Sequence, residues 1–169
     1  MNKQELIGET KKQAQYDTIN LIEMSPACGA IVEGVDLSVE LSNHQFDEIY
    51  DAVVDRVVVV FRNQEITPDQ QIKFARRFGE PQYAAVSGFE KNKDYPEIDN
   101  LDYDVEHPPH VTRGLWHTDF AGRARPTWGT VIFAREILPE GGDTIWVNSV
   151  AAFEALSDRM KAHIDGLWA

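Results

Sequence analysis

Three features of this sequence predict a mainly β domain with helices packed on its outside. Val57 to Phe61 is an unbroken run of four valines and a phenylalanine, the pattern of a strand covered on both faces. Three further extended runs between Leu115 and Val147 are separated by turn signals, as in an antiparallel meander. Two helix starts, at Ser42 and Thr67, combine a cap residue with apolar residues at helical spacing.

The elements follow in chain order. Residues 1–18 are polar and mixed in charge and read as an N-terminal arm; residues 19–169 read as a single domain. Ile19 to Met24 and Ala30 to Val32 are apolar runs punctuated by Pro26, Gly29 and Gly34, which predicts two short strands joined by a turn. Ser42, with Gln45 three residues on as its capping-box partner, opens a helix that carries Phe46, Ile49, Tyr50, Val53 and Val54 on one face. The strand from Val57 to Phe61 is expected at the centre of its sheet. Thr67, Pro68 and Gln70 repeat the cap, and the second helix turns Ile72, Ala75 and Phe78 inward before Gly79. These two helices are expected to flank the buried strand.

Residues 81–112 read as a loop, although Ile98, Leu101 and Tyr103 fit a short strand within its acidic part. Strands are expected at Leu115 to Phe120, Thr127 to Ala134 and Asp143 to Val147, the last after a Pro139-Glu140-Gly141-Gly142 turn. Ser149 and Ser157 then cap two closing helices.

Composition narrows the function. Lys and Arg number 16 against 28 Asp and Glu, a net charge of −12, which is the wrong sign for gripping phosphate backbones or anionic membrane surfaces. Nucleic acid and membrane are therefore not expected partners. Cys28 is the only cysteine, so neither an internal disulfide nor a cysteine-based zinc cluster can form, and a reducing, cytoplasmic location is the expectation. No apolar run is long enough to span a bilayer or form the core of a signal peptide.

The chemistry concentrates in Leu115-Trp116-His117-Thr118-Asp119-Phe120. Side chains two apart on an extended segment share a face, so His117 and Asp119 project together. An imidazole and a carboxylate, joined by one more imidazole, make the facial triad that holds Fe(II) and leaves positions open for cosubstrate and dioxygen. A lone His-x-Asp is weak evidence, being a merely solvated surface pair about nine times in ten, and the neighbouring motifs decide how much weight it carries. Trp116, on the opposite face, reads as a packing residue.

Those motifs are ordered. Leu-Trp-His-Thr-Asp-Phe is followed by Pro126, then by Leu138-Pro139-Glu140-Gly141-Gly142-Asp143-Thr144, then by Ala151-Ala152-Phe153-Glu154-Ala155-Leu156-Ser157. Upstream stand Gly34-Val35-Asp36-Leu37, Val59-Val60-Phe61-Arg62 and Phe74-Ala75-Arg76-Arg77-Phe78-Gly79. Over residues 21–160 the chain resembles the taurine dioxygenase and chlorophenoxyacetate dioxygenase family of Fe(II)- and 2-oxoglutarate-dependent oxygenases.

The resemblance implies a double-stranded β-helix, or jelly roll of the cupin-like kind, incomplete at the C-terminus. It implies that His117 and Asp119 are iron ligands, that Thr144 helps hold the far carboxylate of 2-oxoglutarate, and that a small organic substrate is hydroxylated with dioxygen. The second iron-binding His and the 2-oxoglutarate-binding Arg of the family lie downstream of Ala169, so the chain is expected to hold two of three ligands and one of two cosubstrate anchors. Of His44, His107, His110 and His163, none sits in a matching context. Arg113 stands where relatives often place a substrate-contacting Asn, and no His follows Phe78-Gly79 as in taurine-specific members. With Arg123 and Arg125 nearby, the expected substrate is a carboxylate, sulfonate or phosphonate rather than taurine itself.

Two other classes stay open at this point: a non-catalytic cupin-like module or inactive fragment, and a zinc hydrolase using the same pair. Open strand edges in half a barrel also predict pairing with further copies of the chain.

Overall fold

The computed structural model describes residues 16–82, 90–100, 116–120, 122–137, 139–140 and 143–167. The chain divides into two compact units: Met1–Asp36, Leu41–Asn63 and Trp146–Asn148 form the first, and Leu37–Glu40, Gln64–Ile145 and Ser149–Ala169 the second.

In the first unit, β1 (Asn20–Glu23) pairs antiparallel with β2 (Ala30–Glu33), in a register that sets Leu21 opposite Val32 and Ile22 opposite Ile31. The connection is tied by local bonds. The N–H of Met24 donates to the Gly29 carbonyl at 2.9 Å, and the Ser25 hydroxyl donates to the Cys28 carbonyl at 2.6 Å. Gly29 sits at φ 85°, a conformation that a Cβ would strain. From β2 the chain runs through α1 (Asn43–Arg56) into β3 (Val59–Phe61), which pairs parallel with β2. The sheet order is β1-β2-β3, and α1 packs against β2 and β3.

The core of this unit is Ile19, Ala30, Val32, Phe46, Ile49 and Ala52, with Ile49 fully buried. Helical spacing explains it: Phe46, Ile49, Ala52 and Arg56 recur at three- and four-residue steps along one side of α1. The expected face is shifted by part of a turn, since Val54 is 61% exposed and Tyr50 also reaches solvent. Arg56 is buried because its guanidinium donates to the Ser25 carbonyl and lies 3.5 Å from Glu23 Oε2.

Ser42 caps α1 by accepting from the Gln45 N–H at 3.1 Å, but the capping box is not closed. Gln45 Nε2 turns to the carbonyls of Thr18 and Gly34 instead, two acceptors brought close by the fold and invisible to a local pattern. After α1, Val57 takes φ 68° and the Val58 N–H returns to the Arg56 carbonyl at 2.8 Å. That γ-turn consumes Val57 and Val58, so the strand is shorter than the valine run. Among the described residues β3 lies at the edge of its sheet and β2 at the centre, the reverse of the expectation. A valine run reports extended, half-buried backbone and says nothing of how many neighbours the strand has.

The second unit contains α2 (Pro68–Arg76), β4 (Glu90–Lys91), β5 (Asp99–Asn100), α3 (Ser149–Glu154) and α4 (Asp158–Ile164). Here the capping box is complete: Thr67 Oγ1 accepts from the Gln70 N–H at 3.3 Å, and Gln70 Oε1 accepts from the Thr67 N–H at 2.7 Å. α2 belongs to this unit, whereas α1 packs on the strands of the first. Phe74 is the buried residue of α2, while Ile72, Ala75 and Phe78 are half-buried. β4 and β5 form an antiparallel pair, so a short strand does occur beside Ile98; Leu101 and Tyr103 lie outside the described residues.

The expected meander is absent among the described residues. Residues 116–118, 127–134 and 143–148 are irregular, and helical residues outnumber strand residues, so the observed fold is a mixture of helix and small sheets rather than mainly β. An extended apolar run becomes a strand only where a neighbour takes its N–H and C=O groups. None of the described residues from 116 to 167 is buried. No helix among the described residues is long and apolar enough to cross a membrane.

Candidate metal centre

His117 and Asp119 lie in the second unit, on an irregular segment that turns at Asp119 and Phe120. His117 Nε2 stands 3.4 Å from Asp119 Oδ1, with the two side chains 63% and 53% exposed. The predicted juxtaposition is therefore present without the predicted strand. Two ligand atoms at right angles on a metal, each about 2.1 Å from it, are about 3.0 Å apart, so this spacing needs an adjustment of only a few tenths of an ångström. A neutral imidazole nitrogen and a carboxylate oxygen also suit a borderline divalent ion such as Fe(II), and the exposure leaves room for further ligands. The residues present fit such a group.

The surroundings hold Asp119 on both sides. Thr130 Oγ1 donates to Asp119 Oδ2 at 3.1 Å. After Asp119, Phe120 adopts φ 53°, the Arg123 N–H donates to the Phe120 carbonyl at 3.2 Å, and the Arg123 guanidinium lies 4.1 Å over the Phe120 ring. Arg123 Nη1 also donates to Gln82 Oε1 at 2.7 Å. Arg123 is thereby occupied in shaping the turn, and both Arg123 and Arg125 are exposed. Neither Thr130 nor Gln82 carries a local sequence signal, since each reaches its partner across a gap in the chain.

Thr144 is exposed in the irregular segment 143–148, and among the described residues no hydrogen bond or ion pair joins it to His117 or Asp119. Trp116 is 68% exposed, so its expected packing role is not met among the described residues. Arg113, His107, His110, Gly141 and Gly142 lie outside the described residues. His163 is on α4.

A second cluster of potential ligands, missed in the sequence, joins Asp17, His44 and Glu48 in the first unit. His44 Nε2 lies 3.7 Å from Asp17 Oδ2 and 3.8 Å from Glu48 Oε1. The Glu48 carboxylate is already engaged: Oε1 accepts from the Asp17 N–H at 2.6 Å, and Oε2 accepts from the Thr18 N–H at 2.8 Å and from the Thr18 hydroxyl. Burial works against the charge on Glu48, but these donors and His44 outweigh it and hold the carboxyl below its ordinary value. The arrangement is a clasp between the residues entering β1 and the helix α1.

Comparison with known proteins bears on the chain as a whole. The sequence profile of the taurine catabolism dioxygenase TauD, TfdA family matches residues 21–169. The chain belongs to that family. Among TauD/TfdA relatives it is similar to an alpha-ketoglutarate-dependent 2,4-dichlorophenoxyacetate dioxygenase of Cupriavidus pinatubonensis, with 30% identity over 85% of this chain and 55% of that protein. An alkylsulfatase of Acinetobacter baylyi is 31% identical over 88% of this chain and 45% of its own length. Among solved structures, a taurine dioxygenase from Burkholderia xenovorans superposes with a TM-score of 0.68 at 32% identity, covering 89% of this chain and 52% of that one. A structure of AAD-2 in complex with Mn(II) and N-oxalylglycine gives a TM-score of 0.65 at 28% identity, covering 88% and 54%. The chain spans about half the length of the curated relatives it matches.

Proposed function

We propose that this chain carries part of the active site of an Fe(II)- and 2-oxoglutarate-dependent dioxygenase that hydroxylates a small organic acid, built on a jelly-roll framework. The observation that carries the reading is the 3.4 Å approach of His117 Nε2 to Asp119 Oδ1 in a TauD/TfdA chain. In this reading both side chains are metal ligands, the imidazole neutral and the carboxylate ionised. Bound Fe(II) would supply the activation of dioxygen that couples decarboxylation of 2-oxoglutarate to attack on a substrate C–H bond.

The remaining roles belong to the protein's own groups. Thr144 offers a hydroxyl that donates to a carboxylate of 2-oxoglutarate without adding charge. Arg113 supplies the cation that attracts the carboxylate, sulfonate or phosphonate of the substrate. The range of relatives supports an oxyanion-bearing substrate: their names include phenoxyacetate, sulfonate and sulfate ester dioxygenases. A reducing, cytoplasmic compartment accompanies this reading, consistent with Cys28 as sole cysteine.

Anaerobic Fe(II) titration of the 169-residue chain, followed at the His117 ring by NMR, is expected to saturate and to fail in both His117→Ala and Asp119→Ala. Unchanged binding in either variant overturns the ligand assignment. A non-catalytic module predicts no saturable signal at all.

A further inference from the structure

The two oxygens of Asp119 have different neighbours: Oδ1 faces His117 Nε2 at 3.4 Å, and Oδ2 accepts from Thr130 Oγ1 at 3.1 Å. A free carboxylate on an exposed turn rotates about its last bond and offers either oxygen, or both, to a cation. A hydroxyl donor on one oxygen removes that freedom, because it fixes the carboxylate plane and occupies a lone pair.

Thr130 is suited to this task by its stiffness and its mounting. A β-branched side chain has few χ1 states, so the hydroxyl holds its direction if the backbone does. The backbone is pinned two residues earlier, where the Trp128 ring stacks on Phe78 with centroids 5.3 Å apart and planes at 22°. Phe78 in turn meets Phe74 of α2 edge-on at 5.3 Å and 86°. On the other side of Asp119, the Phe120 turn is held by Arg123 and, through it, by Gln82. Phe78 and Gln82 both belong to the stretch that follows α2. One short piece of chain therefore fixes both the backbone and the head group of Asp119.

We infer that Thr130 is a positioning residue for the candidate metal centre, holding Asp119 Oδ2 so that Oδ1 alone is presented beside His117 Nε2. The inference rests on the metal-binding reading above and adds a residue outside the ligand set. Loss of an outer hydrogen bond to a metal ligand typically weakens metal affinity about 10- to 100-fold, and the exposure of this pair places the effect near the lower end.

The test uses the 169-residue chain with Mn(II) as probe, read from paramagnetic broadening of the His117 ring signals and from the 13C shift of the Asp119 carboxyl carbon without metal. Thr130→Val is expected to move that shift and weaken Mn(II) binding about 10-fold. Thr130→Ser, which keeps the hydroxyl, is expected to restore both to near wild type, a rescue that a packing role would not show. If Asp119→Ala abolishes binding while Thr130→Val leaves affinity and carboxyl shift unchanged, the positioning role is overturned and the metal reading stands. If Thr130→Ser is as impaired as Thr130→Val, the hydroxyl is not the cause and the inference also fails. Should Asp119→Ala bind Mn(II) as wild type does, the metal reading itself falls and takes this inference with it.

Discussion

Residues 19–61 and residues 116–167 both carry long apolar runs, yet among the described residues only the first stretch buries them. In the former, Ile19, Ala30, Val32, Phe46, Ile49 and Ala52 are sealed between α1 and its sheet. In the latter Ile132, Ile145 and Val150 are exposed, and neither α3 nor α4 buries a residue. The difference follows from what each kind of element needs. A helix closes its own hydrogen bonds and requires little beyond a cap, so α4 forms behind Ser157 without a core. A strand depends on a neighbour, and the apolar runs from 127 to 147 have none among the described residues.

The strongest way to break this comparison is to truncate the same side chain in both stretches. Ile49→Ala should lower stability by about 3 kcal/mol in urea unfolding, since it empties a fully enclosed site, whereas Ile145→Ala should stay within about 0.5 kcal/mol. Equal losses would mean that exposed surface in the later stretch is doing the work of a core.

Next in size is Glu48, which joins α1 to the residues entering β1. Glu48→Gln should cost about 2 kcal/mol near neutral pH, because the N–H groups of Asp17 and Thr18 lose a charged acceptor. Its folded-state pKa lies below the ordinary value of 4.5, so the stabilisation is complete above that value and is lost as pH falls through the folded-state pKa. The gap between wild type and variant should therefore narrow as acid unfolding is followed downward from pH 4.5. A gap that stays constant would show that ionisation of Glu48 does not contribute.

The smallest expected effect runs the other way. Val57 holds φ 68° with 41% of its surface exposed, so Val57→Gly removes steric strain and little packing. A gain of about 0.5 to 1 kcal/mol is expected in thermal unfolding. A loss would mean that the exposed valine packs better than its surface suggests.

Much of this was legible from residue patterns because much of it is local. Ser42, Thr67 and Ser157 cap where the spacing places them, and the strands around Leu21 and Ile31 fall within a residue or two of their apolar runs. His117 and Asp119 meet across a separation of only two residues. What local reading missed was supplied from a distance. Gln45 left its capping box for carbonyls at Thr18 and Gly34, Arg56 became buried through Ser25, and β3 was shortened by a turn that nothing in a valine run announces. The Thr130 contact to Asp119 belongs to the same class, because it depends on where Phe78 parks Trp128.

The parallel pairing of β2 with β3 across α1 also bears on how the protein is made. Hairpin, crossover helix and third strand all lie between Asn20 and Phe61, so among the described residues the partners in that sheet are synthesised before the segment bearing His117 is translated. Vectorial synthesis thus lets an early nucleus assemble from short-range contacts, and the apolar stretch that follows emerges beside a piece of chain already folded.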